Sequence, residues 1–329
     1  MTTLIFDLET NGLLEELNTV HSLVIKDHDT NEVFSYGPNE ISIGLDKLQS
    51  ADKIVGHNIL KFDLPAIKKV YPEFEYYKSI VDTLVCSRLI WADIKQNDFK
   101  FAQKSDFPMK MVGRHSLASW GFRMGILKTE FETDWVSWSP EMQLYCEQDV
   151  EVTHELYKKI LGKNYSQTAI DLEHEFQKVI MLQEEQGFCF DRSRAEALYQ
   201  ILSKRRIDLE EQLQKAFPSW AEEVGEFIPA RDNIRLGYKK GVPVKRIKQF
   251  TFNPASRDHI ANRLQAVRGW LPKEFSANGK PVVDEKVLQK LDYPEAEILA
   301  EYLMITKRTG QLAEGNQAWL KLEKEGKIY

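Results

Sequence analysis

The chain has 329 residues, more than one ordinary core needs, and this length suggests two domains. A hydrophobic content of 43% is typical of a globular protein, and a net charge of -6 excludes the overall basic field of a simple nucleic-acid-binding protein. The cysteines number three, Cys86, Cys146 and Cys189, and their wide spacing argues against a disulfide framework and against a zinc site.

The charge is unevenly distributed along the chain. Residues 1–60 hold ten acids and three lysines, whereas residues 231–248 hold seven Lys or Arg and one Asp. An acidic part and a basic arm fit a metal-dependent enzyme acting on a polyanion, and a solvated charge run is the alternative. No stretch approaches the roughly 20 apolar residues of a membrane helix, and we expect no signal peptide. The sequence therefore predicts a cytoplasmic protein with reduced thiols and no membrane contact.

The first predicted element is an apolar strand, residues 4–10, that carries Asp7 and Glu9 and stops at a turn. Successive side chains of a strand point to opposite faces, so these two carboxylates lie on the same face, a few ångströms apart. Nothing basic lies near them in sequence, and a buried pair of like charges is costly without compensation. Hard cations such as Mg²⁺ prefer carboxylate oxygens. The pattern is compatible with a cation site, but so short a motif taken alone more often marks an acidic pair that faces water.

The next segments predict two further strands, at residues 22–25 and 33–36, and then a short apolar run that ends at His57 and Asn58. A helix follows, with Pro65 in its first turn and Asp63 at the junction between loop and helix. A carboxylate at a helix start is well placed to be held toward a metal. Taken singly, Asp63 is better explained as a cap and Asn58 as a turn former.

Farther along, Asp82 is predicted to cap a helix, residues 93–113 to form a polar surface loop, and residues 115–121 to form a helix ended by Gly121. A capped helix with Pro140 at its first position then carries Tyr145 and Asp149. Because these two residues are four apart, the phenol and the carboxylate share one helix face. A core aromatic and an exposed helix charge are the alternatives.

Together the acids form a pattern more specific than its parts. The segments Asp7-x-Glu9, Asn58 to Asp63 and Tyr145-x-x-x-Asp149 resemble the three exonuclease motifs of the DEDD superfamily in its tyrosine subclass, which includes the proofreading domain of family A DNA polymerases. Residues 82–90 and 115–123, and the spacing of five between Asn58 and Asp63, are most similar to the replicative polymerases of short-tailed phages. Residues 252–260, 279–288 and 301–308 resemble the thumb of those enzymes, so the resemblance spans nearly the whole chain.

The resemblance implies an α/β fold, an RNase H-like mixed β-sheet flanked by helices, followed by a mainly α-helical thumb. The expected domains are residues 1–165, the 3′-to-5′ exonuclease, and residues 166–329, the thumb, with a basic loop at about 224–250. Apolar residues at helical spacing from Leu172 to Leu182 are predicted to be core stripes of the second half.

The resemblance also implies a two-metal mechanism with Mg²⁺ or Mn²⁺. Two ions about 3.5–4 Å apart clamp one phosphodiester, one activating water and the other stabilising the leaving oxygen. Asp7 would bridge both ions, Glu9 and Asp149 would complete the nucleophile side, and Asp63 would serve the other ion. Tyr145 would orient the attacking water, because a phenol with a pKa near ~10 is a poor base at neutral pH. Leu13 and Asn58 would contact the terminal nucleotide.

The basic arm, and the polymerase motifs that the sequence lacks, indicate which partners to expect. Side chains expected to contact DNA phosphates are Arg231, Arg235, Lys239, Lys240, Lys245 and Arg246. Only about thirty residues separate Trp220 from Phe252, which argues against the large thumb insertion that recruits thioredoxin. The three polymerase motifs are absent, so the chain resembles either a truncated polymerase or one half of a split polymerase whose second chain carries palm and fingers. The rival function is a non-catalytic, clamp-like subunit that holds duplex DNA.

Overall fold

The protein is described by a computed structural model that covers residues 1–103, 105–126, 135–276 and 278–329. The chain divides into two compact units, Met1–Glu185 and Gln186–Tyr329. This division falls twenty residues beyond the predicted domain boundary, because the helix that follows residue 166 packs on the first unit through Ile170 and His174.

A five-stranded mixed sheet forms the centre of the first unit. Its strands are β1 (Thr3–Thr10), β2 (Val20–Asp27), β3 (Val33–Tyr36), β4 (Lys53–Gly56) and β5 (Ser79–Asp82), in the order β3-β2-β1-β4-β5. Strand β1 pairs antiparallel with β2 and parallel with β4, and β4 pairs parallel with β5. The central position of β1 therefore places its residues in the most enclosed part of the sheet.

Helices cover both faces of this sheet. They are α1 (Ile41–Ser50), α2 (Asp63–Val70), α3 (Thr83–Ile90), α4 (Ile94–Ala102), α5 (Leu117–Met124), α6 (Pro140–Leu161) and α7 (Gln167–Gln186). One core cluster joins Leu4, Phe6 and Leu8 of β1 to residues of α1 and α2. A second joins Ile5 of β1 to the buried side of α6. Because side chains alternate along a strand, Asp7 and Glu9 lie on the Ile5 face, toward α6.

Local sequence signals fix several of these helix ends. The side chains of Asp82, Ser116 and Ser139 accept backbone N–H groups at the starts of α3, α5 and α6. Helix α5 runs past Gly121 to Met124, and the left-handed conformation of Gly125 ends it. The prediction of a loop at residues 93–113 was wrong, because α4 occupies Ile94–Ala102. Asp98 of that helix is buried and forms an ion pair of 2.8 Å with Arg123.

The second unit is mainly helical. Its elements are β6 (Phe188–Cys189), α8 (Arg192–Ala216), β7 (Trp220–Phe227), β8 (Val244–Phe250), α9 (Arg257–Arg268), α10 (Glu285–Leu288), α11 (Pro294–Thr309), α12 (Trp319–Leu322) and β9 (Lys327–Ile328). Its own core is formed by α8, α9 and α11 with Phe217 and Phe252. The predicted fold class, an RNase H-like mixed sheet flanked by helices and followed by a helical part, is confirmed.

The predicted basic loop at about 224–250 is part of a β-hairpin: its two ends lie in strands β7 and β8, and only residues 228–243 between them form a loop. Strands β7 and β8 pair antiparallel, and this pairing places Glu222 opposite Lys248 and Glu226 opposite Lys245. Cross-strand pairs of opposite charge stabilise such a ladder. The acids of β7 therefore balance part of the basic charge, and residues 228–243 connect the two strands.

Helix α7 corrects a second expectation. Its predicted core stripe is exposed: Leu172 is 67% exposed, Phe176 55% and Leu182 59%, while Ile170 and His174 on another face are buried. The periodicity correctly indicated a helix, yet the apolar side faces outward. In the described part of the chain, no helix is both long and apolar enough to span a membrane.

Candidate active site

Two of the predicted site residues lie side by side on β1. Asp7 and Glu9 are half-buried, and one carboxylate oxygen of each lies with the Cys146 sulfur in a group whose atoms are all within 4.8 Å of one another. The Cys146 thiol donates to the backbone oxygen of Asp7 at 3.3 Å and to its Oδ2 at 3.7 Å. Helix α6 is thus tied directly to the acidic end of β1.

All four of the predicted acids affect the pKa of the buried Cys146 thiol. Burial raises its pKa well above the usual value, and the negative charges of Asp7, Glu9, Asp149 and Asp63 raise it further, in that order. Cysteine therefore remains a protonated thiol here, and it donates hydrogen bonds to oxygens of Asp7. The charges of all four acids act on this one thiol, although the acids come from a strand, a loop-to-helix junction and a later helix.

Asp63 is the most deeply enclosed of the four acids. It is 3% exposed, and burial, followed by the charge of Asp82, raises its pKa to about 8. The backbone N–H groups of Asp63 and Leu8 donate to its carboxylate and partly oppose this shift. Since Leu8 lies between Asp7 and Glu9, this contact fixes Asp63 against the acidic strand. In the absence of a cation, burial and the charge of Asp82 therefore favour the protonated form of Asp63.

Helix α6 contributes the remaining two predicted residues. Asp149 is 7% exposed, and Tyr145 is half-buried one turn earlier on the same helix face. The Tyr145 ring packs edge-on against Trp135, with centroids 6.1 Å apart. Trp135 was not predicted from the sequence, because its contact depends on a helix that begins five residues later. It limits the positions that the phenol can adopt.

Leu13 and Asn58, predicted to contact a terminal nucleotide, lie on two turns of the first unit. Leu13 is 75% exposed on the turn after β1, where Lys69 donates to the carbonyls of Leu14 at 2.8 Å and Glu15 at 2.9 Å. Asn58 has a φ of 67° and donates its N–H to Asp82. An exposed leucine held on a fixed turn is available for contact with a base.

Asp82 was predicted only as a helix cap, and the structure gives it more contacts. It caps α3, it accepts N–H groups from the segment that leads to Asp63, and its charge acts on Asp63. Its sequence signal, an Asp before a helix, was identical to that of an ordinary cap. The additional contacts arise from the parallel pairing of β4 with β5.

The predicted phosphate-contacting residues lie in the second unit, apart in sequence from the acids. Lys245 pairs with Glu223 at 2.8 Å, and the Arg246 guanidinium lies 4.9 Å from the Phe227 ring centroid. The other four lie on the segment that connects the hairpin strands: Arg231, Arg235, Lys239 and Lys240. That segment is the least neutralised part of the basic arm.

A second group on α6 has ligand-type side chains but a balanced charge. Carboxylate oxygens of Glu151 and Glu155 and a nitrogen of His154 lie within 4.8 Å of one another. Glu151 pairs with Lys26, and Glu155 pairs with Lys158 at 2.7 Å. Because each carboxylate already has an ammonium partner, this group is a salt-bridge network rather than a second cation site.

The central strand and its acids define an α/β protein with an RNase H-like sheet. Its sequence matches the N-terminal part of two phage DNA polymerases. The chain is 33% identical to the DNA-directed DNA polymerase of Enterobacteria phage T3 and 32% identical to that of Escherichia phage T7. Each alignment covers 99% of this chain and 59% of the relative, so the chain spans less than two thirds of the relatives' length. The resemblance inferred from the motifs is confirmed, and no family model matches the chain.

Comparison with solved structures finds distant likenesses. Brucella melitensis NrnC bound to pGG has a TM-score of 0.39 and 16% sequence identity. The match covers 56% of this chain and 85% of the NrnC chain. The same protein with bound Mg²⁺ has a TM-score of 0.39, 16% identity and coverage of 56% and 86%. These scores add nothing to the assignment of individual residues.

Proposed function

We propose that this chain is a metal-dependent 3′-to-5′ DNA exonuclease, the proofreading part of a phage family A DNA polymerase. The observation that carries the proposal is that Asp7 and Glu9 lie within 4.8 Å of the Cys146 sulfur, and that the charges of Asp63 and Asp149 also act on this thiol. Acids close enough to affect one another in this way repel unless cations compensate them. The match to phage polymerases supports DNA as the substrate.

The donor set fits a hard divalent cation such as Mg²⁺ or Mn²⁺. The available donors are carboxylate oxygens, and the one sulfur in the group belongs to a thiol whose raised pKa keeps it protonated. The residues that would hold two such ions are Asp7, Glu9, Asp63 and Asp149. When bound, the ions would supply charge stabilisation for the reacting phosphodiester and lower the pKa of water.

The side chains of the protein have separate tasks in this scheme. Tyr145, whose ring packs against Trp135, orients the attacking water. Leu13 packs on the terminal base, and Asn58 contacts the same nucleotide. Asp63 loses its proton when cations bind, because the positive charge offsets both its burial and the charge of Asp82. The acids, Tyr145, Leu13 and Asn58 all belong to the first unit.

Substitution of single acids tests the proposal. Asp7→Asn and Asp149→Asn preserve side-chain shape and remove one charge, so we expect Mg²⁺-dependent release of 3′ nucleotides to fall roughly 100-fold or more. Asp171→Asn, at an exposed carboxylate of α7, is the matched control and should keep full activity. Full activity in both site variants would refute the assignment. DNA binding without any hydrolysis by the wild-type protein would favour the clamp-like alternative.

We further propose that the second unit, Gln186–Tyr329, acts as a thumb that grips primer-template DNA, with the hairpin's basic side chains on the DNA phosphates. The partner would be a polypeptide that carries palm and fingers, the part of the relatives that this chain does not span. The exposed apolar stripe of α7 supports such a partner, because Leu172, Phe176 and Leu182 together offer an uncovered hydrophobic surface. The place of action would be the cytoplasm of the bacterial host.

A further inference from the structure

Asp82 lies at the end of β5, directly before α3, and is 1% exposed. Its Oδ1 accepts the N–H of Leu84 at 2.9 Å, which is an ordinary N-cap contact. The same carboxylate accepts the N–H of Asn58 at 2.9 Å and that of Leu60 at 3.1 Å. One buried side chain therefore satisfies backbone donors on two segments that are more than twenty residues apart in sequence.

The segment that Asp82 holds is under conformational constraint. Asn58 has a φ of 67°, a left-handed conformation that few residues other than Gly and Asn adopt. The segment also packs closely on β1: a Cβ placed on Gly56 would lie 2.9 Å from the Phe6 carbonyl oxygen and 2.1 Å from Ile59. A displacement of this turn would therefore carry Asp63, three residues after Leu60, away from the acidic strand.

Contacts on the other side of Asp82 keep it in place. Its backbone N–H donates to His174 Nε2 at 2.8 Å, and His174 Nδ1 donates to the Ile170 carbonyl of α7 at 2.8 Å. Both imidazole nitrogens are thus engaged, which fixes the tautomer of the ring. Next to Asp82, Thr83 donates to the Gly56 carbonyl at 3.1 Å. Asp82 is anchored from β5, α3 and α7 and faces the turn.

We propose that Asp82 is a positioning residue for the exonuclease site: by binding the amides of Asn58 and Leu60, it holds the turn that presents Asp63 to the other acids. This inference rests on the proposed function for its catalytic consequence. Its structural content, the hold on the turn, is independent of that function. If Asp82 acted only as the cap of α3, any other residue that caps the helix could take its place without loss of activity.

The decisive variant is Asp82→Ser. Serine is as good an N-cap as aspartate, so α3 keeps its cap, but one shorter hydroxyl cannot accept from Asn58 and Leu60 as well. We expect kcat for single-stranded DNA to fall roughly 100-fold, as for a misplaced catalytic group, while KM stays within about threefold. Hydrogen exchange should accelerate by roughly tenfold or more at amides 57–62 and stay unchanged at 84–90.

Asp82→Asn is the second variant and keeps the inference testable if Asp82→Ser does not fold. Its Oδ1 still accepts from Asn58 and Leu84, and its amide nitrogen cannot accept from Leu60, so we expect a smaller loss of kcat with α3 intact. Wild-type kcat and wild-type exchange at 57–62 in the folded variants would overturn the inference. If the wild-type protein shows no nuclease activity, the proposed function fails, and the exchange data alone still test the hold on the turn.

Discussion

At the scale of single residues, the site combines groups that the sequence identified with others that it did not. The four acids and Tyr145 were predicted because their spacing matched known motifs. Trp135 and the wider role of Asp82 were not predicted. Asp82 binds a turn more than twenty residues away in sequence, and nothing local distinguishes it from a helix cap or Trp135 from a loop aromatic.

The Tyr145 hydroxyl is expected to orient water without transferring a proton. Tyr145→Phe keeps the ring contact with Trp135, so the helix and its acids should stay in place. We expect kcat to fall roughly tenfold, a smaller effect than the loss of a proton-transfer group produces. Steady-state digestion of single-stranded DNA measures it. Loss of all activity, with an unchanged melting temperature, would show that the hydroxyl does more than orient.

The raised pKa of Asp63 predicts how the metal-free protein responds to pH. Its carboxyl has a pKa of about 8 in the fold, against 3.8 as the reference value, so the folded state holds a proton that the unfolded state has lost. The free energy of unfolding should therefore fall as the pH rises from about 4 to about 8, by up to about 1.4 kcal/mol per pH unit. Urea unfolding in EDTA at pH 6, 7 and 8 measures the trend.

Asp63→Asn provides the control for this pH dependence, because the amide is uncharged throughout the range. The difference in unfolding free energy between the variant and the wild type should change with pH in the same window. Parallel curves for the two proteins would show that Asp63 titrates near its usual value, and the electrostatic account of the site would then be wrong.

At the scale of elements, periodicity identified most strands and helices, and the errors have physical causes. Helix α4 was missed because its buried Asp98 resembles a polar loop residue until Arg123 is placed beside it. The β7–β8 hairpin was predicted as a loop because the pairing of Glu226 with Lys245 is a cross-strand relation. The exposed stripe of α7 was predicted as core, because a pattern shows which face is apolar and not what covers it.

The basic side chains of the hairpin are expected to differ in how much each contributes to DNA binding. Alanine at the four basic residues of the connecting segment should weaken binding to duplex DNA and lower the slope of log K against log salt by about 0.9 for each phosphate that the variant no longer neutralises. Lys245→Ala should have a smaller effect, because DNA must compete with Glu223, 2.8 Å away. Salt titrations monitored by fluorescence anisotropy compare the variants. An equal effect of Lys245→Ala and of a connecting-segment lysine would contradict this ranking.

At the scale of the whole molecule, the first unit holds the predicted nuclease residues and the second holds the basic hairpin. The relatives extend beyond the region that this chain matches, and α7 of the first unit exposes an apolar stripe. Partner binding at this stripe is therefore the main expectation at this scale, and it is separable from nuclease chemistry.

Phe176→Glu tests the stripe. Phe176 is 55% exposed, so a charge there should change the melting temperature little and leave hydrolysis of single-stranded DNA unchanged. Copurification from the native source, with mass spectrometry of bound chains, should recover a polypeptide bearing palm and fingers with the wild-type protein. We expect at least roughly tenfold less of it with Phe176→Glu, as for removal of an aromatic anchor. Asp171→Asn, on the same helix, is the control, and equal recovery with all proteins would contradict the assignment.

The most direct test of the central claim is the digestion of a single-stranded oligonucleotide labelled at its 5′ end. With Mg²⁺, we predict a ladder of products that shorten one nucleotide at a time from the 3′ end. With Ca²⁺, whose longer bonds and looser geometry suit the site less well, or with Asp7→Asn, we predict intact DNA. Intact DNA in the presence of Mg²⁺ and of Mn²⁺, or an equal ladder from Asp7→Asn, would contradict the assignment of this chain as a metal-dependent exonuclease.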